Sequence, residues 1–175
     1  MYKQLSRERV MSQIVTKTAK RQKTWLVHVF WLWLITGGVY YIIEGLWHIP
    51  TNGGWGNIAM APIGGLCGVL IGMMNENTKF ARKKMIVQAV YGAALLVLIE
   101  FICGYIMNIV LGMNVWDYSA LPFNFMGQIS LRFAILWFLF TPFIIWFDDF
   151  LRHRLWNEGK KYPWYQNYIK LIKLQ

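Results

Sequence analysis

Four apolar runs constrain this chain more than any other feature. They cover about residues 25–47, 58–74, 85–111 and 128–147. A helix needs about 20 residues to cross the hydrocarbon core of a bilayer, and each run is near or above that length. In lipid the backbone must satisfy its own hydrogen bonds, so only helices and closed barrels span. A barrel would show repeated strands of about ten alternating residues, and the chain has no such pattern. The expected fold is therefore all-α: an integral membrane protein whose transmembrane domain is a four-transmembrane-helix bundle.

Charge between the runs sets the expected orientation. Residues 1–24 carry Lys3, Arg7, Arg9, Lys17, Lys20, Arg21 and Lys23 against one acid, Glu8. The second connector, 75–84, carries Lys79, Arg82, Lys83 and Lys84, and the C-terminal part carries Arg152, Arg154, Lys160, Lys161, Lys170 and Lys173. The connectors at 48–57 and 112–127 have no Lys or Arg. By the positive-inside rule both termini are cytoplasmic and the chain crosses a bacterial cytoplasmic membrane four times. The net charge of +10 then answers to anionic inner-leaflet lipids and not to nucleic acid. Leu5, Val10, Met11, Ile14, Val15 and Thr18 recur at helical spacing, so 1–24 reads either as an amphipathic helix on that leaflet or as a solvated basic tail. The transmembrane domain is 25–148. Residues 149–175 form a basic tail with Trp156, Tyr162, Trp164, Tyr165 and Tyr168, a mix that suits an interfacial segment. A cleavable signal peptide is not expected, because the N-terminus is polar and the first apolar run is long.

The third connector is the most informative stretch. Val115, Trp116, Asp117 and Tyr118 open it, and it continues through Ser119, Pro122, Asn124, Gly127 and Gln128. Trp and Tyr favour the boundary between oil and water, since their rings are apolar and their N–H and O–H groups still need partners. Pro122 lacks a backbone donor and disfavours helix at Leu121. Non-helical backbone at membrane depth persists only where protein or water covers it. The stretch is expected to cap or line a cavity.

Polar and small residues inside the runs supply the candidate sites. Gly64, Gly68 and Gly72 form a small-residue ridge that admits close helix packing, within one protomer or between the subunits of a homo-oligomer. Glu44 lies near the outer end of the first run, with Tyr40 one turn back as a hydrogen-bond partner. Glu100, Gly104 and Asn108 are four apart and share a face, which should turn inward because an exposed carboxylate in lipid is costly. Arg132 is placed near the outer end of the fourth run, with Gln128 one turn earlier on the same face. Glu44 and Arg132 fall at one depth, so Glu44, Asp117, Asn124, Gln128 and Arg132 are expected to cluster near the outer surface, Arg132 pairing with Glu44 or Asp117. Glu100 lies roughly 10 Å deeper at about 1.5 Å of rise per residue. Lacking a cation, it is expected to be neutral and to donate a hydrogen bond across the bundle.

Chemistry on bonds is not expected. His28, His48 and His153 are scattered, no paired His or Cys has ligand spacing, and neither Ser-x-x-Lys nor Gly-x-Ser-x-Gly occurs. The chain reads as a non-enzyme without metal or cofactor. Cys67 and Cys103 sit in apolar runs, where thiols act as small hydrophobes.

Several pieces of sequence resemble a known family. They are Gly37–Trp47 (Gly-Gly-Val-Tyr-Tyr-Ile-Ile-Glu-Gly-Leu-Trp), Gly64–Cys67, Ile71–Glu76, Glu100–Gly104 with Asn108, and Leu111–Ser119 (Leu-Gly-Met-Asn-Val-Trp-Asp-Tyr-Ser). Pro122, Asn124, Gly127–Ile129, Trp137 and Asp148–Arg152 extend the match. On these the chain resembles the bacterial membrane family described as Putative ABC-transporter type IV. His48 stands where that family leads one to expect Arg. The resemblance implies a permease-type transport subunit with a separate ATPase, since no Gly-x-x-x-x-Gly-Lys-Ser/Thr loop is present. The expected function is a transport component with a polar, outward-facing site. The alternative is a non-transporting or channel-like oligomer without an ATPase partner.

Overall fold

The structure is a computed structural model. It describes residues 24–50 and 54–175 with their side chains, and residues 2–23, 51 and 52 as helical backbone alone. The proposed amphipathic face of residues 1–24 lies outside the residues described with side chains. The elements are α1 (Tyr2–Asn52), α2 (Met60–Glu76), the single turn α3 (Thr78–Ala81), α4 (Met85–Gly104), a π-helical extension (Tyr105–Val110), the short strands β1 (Asn124–Phe125) and β2 (Ile129–Ser130), α5 (Leu131–Trp156) and α6 (Gln166–Ile172).

Among the described residues three segments are long and apolar enough to cross a membrane: Thr24–Pro50, Met85–Val110 and Leu131–Trp156, of 27, 26 and 26 residues. At about 1.5 Å per residue each exceeds a hydrocarbon core of about 30 Å. Leu26, Phe30, Leu34, Leu46, Val90, Leu98, Ile135 and Leu139 are exposed along them. Apolar surface this extensive is a liability in water and the expected face toward lipid. The chain is a membrane protein. The second apolar helix, α2, is shorter, at 17 residues.

Helix ends differ from the sequence reading in several places. The first helix does not stop at Trp47 but runs through His48 and Pro50 to Asn52. His48 Nε2 lies 2.9 Å from Glu44 Oε1, and this i,i+4 pair ties together the last turns. The third run ends in π-helical turns that hold Asn108. The fourth helix begins at Leu131 and not at Gln128, because Ser130 is extended and caps it, accepting from the Phe133 N–H. It also runs past Phe147 to Trp156, through the expected boundary at 148. The tail folds back as α6 against α4 and α5. There Asn167 is buried and donates to the Pro142 carbonyl at 3.0 Å.

The bundle packs through α2. That helix lies along α1 on one side and meets α5 on the other, while α4 packs on α5. The glycine ridge makes this possible: Gly64 faces Tyr40, Gly68 faces Thr36 and Gly72 faces Asp148. A Cβ at Gly68 would stand 2.6 Å from Thr36 Oγ1. Contacts this close let dispersion hold helices together where lipid removes the hydrophobic driving force. The Trp33 indole N–H donates to the Pro62 carbonyl at 3.2 Å, joining α1 to the first turn of α2. Ile71, Met85, Leu96 and Ile145 form one buried cluster, and Leu32, Val69 and Leu151 a second. Cys67 and Cys103 are both free thiols.

Candidate functional site

The third connector is tied down by its own polar groups. Asn108 reaches it from the π-helical turns: its side-chain N–H groups donate to the Trp116 carbonyl (3.0 Å) and to Gln128 Oε1 (2.8 Å), and its Oδ1 accepts from the Val115 N–H. The Trp116 indole donates to the Gln128 carbonyl at 3.0 Å. Asn124 donates to the carbonyls of Ser119 and Leu121 and accepts from the Gly127 N–H. β1 and β2 pair antiparallel, Asn124 opposite Ser130. Gly127 has φ +69°, and a Cβ there would sit 2.5 Å from Ser119 Oγ, so both its conformation and its space require glycine. Asp117 is exposed and accepts from both the N–H and the hydroxyl of Ser119, at 2.8 and 2.6 Å. Those two bonds hold its carboxyl below the ordinary aspartate range.

The face Glu100–Gly104–Asn108 reads this connector. Gly104 gives room to Gln128 and Trp116. Glu100, 9% exposed, accepts from the Tyr118 hydroxyl at 2.9 Å and from the Trp137 indole at 3.0 Å. An indole N–H can only donate. The expected hydrogen bonding across the bundle is present, from Glu100 on α4 to Trp137 on α5 and to Tyr118 of the connector, and the Trp137 bond has Glu100 as acceptor. Burial first, then the charge and hydrogen bond of Glu100, hold the Tyr118 hydroxyl above its ordinary pKa, so it remains a neutral donor.

Glu100 also faces a cleft. The cleft holds about 750 Å³ of space free of protein atoms, counting its open mouth. Helix α1 supplies Thr36, Val39, Tyr40 and Ile43, α2 the floor from Met60 to Gly68, α4 Leu96 and Glu100, and α5 Trp137, Phe140, Phe143, Ile144 and Phe147. Trp116 of the connector also lines it. The walls are largely apolar, and among the described residues no Lys or Arg lines them.

The expected outer cluster divides. Glu44 binds His48 and not Tyr40, and its second oxygen is buried against Gly56 without a hydrogen bond. Arg132 is exposed, whereas Gln128 is buried, so the two do not share a helix face. Among the described residues Arg132 forms no ion pair with Glu44 or Asp117. The reason is the late start of α5: Gln128 sits in the hairpin and Arg132 in the first helical turn.

The buried ion pair lies elsewhere. Arg152 Nε is 2.8 Å from Asp148 Oδ2 and 3.8 Å from Glu76 Oε1. Asp149 accepts from the Tyr162 hydroxyl at 2.9 Å, and burial followed by the Asp149 charge raises the Tyr162 pKa. Carboxylate oxygens of Glu76, Asp148 and Asp149 lie within 4.8 Å of one another, close enough for one metal ion, but Arg152 already brings positive charge to them. The i,i+4 spacing of Asp148 and Arg152 is the signal in the sequence that marks this pair.

The comparison with known families agrees with these features. The chain belongs to the Putative ABC-transporter type IV family. The family model matches residues 30–172, which takes in the cleft, the connector and the Asp148–Arg152 pair. No curated protein and no solved structure matches the chain. Family membership makes this a transport-related membrane protein.

Proposed function

We propose that this chain is the permease-type subunit of a transport system in a bacterial cytoplasmic membrane, working with a separate ATPase. The observation that carries the reading is the cleft, which puts one hydrogen-bonded acid, Glu100, among apolar walls from α1, α2, α4 and α5. The polar connector groups are largely engaged with one another, so the polar part of the solute site centres on Glu100. In this reading α2 is a short fourth crossing and both termini are cytoplasmic. The Lys- and Arg-rich segments then meet anionic inner-leaflet lipids. The turn α3, with Lys79, Arg82, Lys83 and Lys84 around it, is the cytoplasmic surface offered to the ATPase. The chain itself binds and passes solute and makes no covalent change. The glycine ridge packs inside the protomer, which favours this reading over an oligomer joined by that ridge.

The test is to isolate the tagged chain from native membranes in mild detergent. An ATP-hydrolysing subunit is expected to co-purify at fixed stoichiometry, and its hydrolysis should change with Glu100→Gln. A stable complex that hydrolyses no ATP overturns the coupled reading. Cysteine labelling of intact cells tests orientation: Ser119→Cys should react from outside, and reaction of Lys83→Cys would reverse the topology.

A further inference from the structure

We propose that the cleft binds an amphiphilic amine, its protonated nitrogen on Glu100 and its apolar tail along α5. This deepens the transport reading by naming a solute class. Glu100 accepts from two neutral donors, Tyr118 and Trp137. A carboxylate has about four lone-pair positions, so it can still receive a donor from the cleft. Among the described residues no Lys or Arg lines the space, and a cationic head is what complements an acid there. An anionic or phosphate-bearing head finds no partner. Trp116 packs against Gly104, one turn from Glu100, and lines the head end, while Phe147 on α5 is among the apolar residues that line the remainder. From Trp137 to Phe147 the helix rises about 15 Å at about 1.5 Å per residue, which sets the tail length. Phe140, Phe143 and Phe147 stack in series along that wall, with ring centroids 5.3 and 6.0 Å apart, a flat apolar track for a chain.

Binding of dodecylamine and of 1-dodecanol to the protein in phosphatidylcholine nanodiscs is measured at neutral pH, with empty discs as the partition control. The amine should bind about tenfold tighter than the alcohol, the scale of one hydrogen bond to a charged group. Glu100→Gln should abolish that preference and leave alcohol binding unchanged. Val39→Trp, which narrows the cleft, should weaken both ligands alike. Equal binding of amine and alcohol to the parent, or an amine preference kept by Glu100→Gln, overturns the assignment of the head. Unchanged binding to Val39→Trp overturns the placement in the cleft. Discs containing phosphatidylethanolamine separate a free amine from a lipid headgroup: undiminished dodecylamine binding is expected, and its loss assigns the site to the lipid and overturns the proposal. Because binding is read without ATP, failure to find an ATPase partner and failure to bind the amine are separate results.

Discussion

Removing Arg152 tests the energetic account of the bundle most sharply. Arg152 is 5% exposed, and beside it Asp148 and Asp149 are 1% and 2% exposed. In Arg152→Met the apolar stem is replaced, but the guanidinium that lies 2.8 Å from Asp148 is gone. The buried Asp148 and the nearby Glu76 lose the cation they share. Breaking one partner out of a buried pair costs about 3–5 kcal/mol. For a chain of this size about 2–4 °C of melting temperature accompanies each kcal/mol, so the midpoint should fall by about 6–20 °C. Arg152→Lys keeps the charge without the planar donor fork and should fall in between. Asp148→Asn combined with Arg152→Met should recover much of the loss, because the unpaired charge is then removed. The assay is thermal unfolding in detergent at one scan rate, followed by tryptophan fluorescence, since such unfolding is often irreversible. An Arg152→Met midpoint within about 1 °C of the parent would refute the reasoning, as would a double variant no more stable than the single one.

Asn108→Ala removes the three hydrogen bonds that fasten the connector to the π-helical turns; at about 1 kcal/mol each the loss should be about 2–3 kcal/mol, with faster amide exchange at Val115 as the specific readout. Arg132→Leu and Arg132→Lys should melt alike, within about 0.5 kcal/mol of the parent, because Arg132 is exposed; a large loss for Leu alone would restore the ion pair expected from sequence. Asp117 gives a pH dependence of known sign. Its folded pKa is depressed, so its contribution is present above the ordinary aspartate value of about 3.9 and is lost as pH falls through the lower folded value. The protection of the Ser119 amide, taken relative to its intrinsic exchange rate at each pH, should fall on acidification over that range in the parent and stay flat in Asp117→Ala; parallel protection curves would remove Asp117 from the connector's stability.

Much of this protein was legible in the sequence because it depends on local pattern. Hydropathy identified the long apolar helices, and i,i+4 spacing put Glu100, Gly104 and Asn108 on one inward face. The chemistry of Trp116, Pro122 and Asn124 marked a structured connector, and Trp116 lines the cleft. Glycine spacing on α2 marked a packing ridge, and the contacts of Gly64, Gly68 and Gly72 fill it from α1 and α5. What the sequence did not carry was the choice of partner for each polar group. Glu44 takes His48, Glu100 takes Tyr118 and Trp137, and the buried arginine is Arg152 instead of Arg132. In water, burial of an apolar stripe narrows which faces can meet. In lipid every apolar face is already solvated, so packing shape and hydrogen bonds decide which helices are neighbours. Those depend on side chains far apart in the chain. The cleft exists only because four helices and the connector leave a gap together, and no single stretch encodes it.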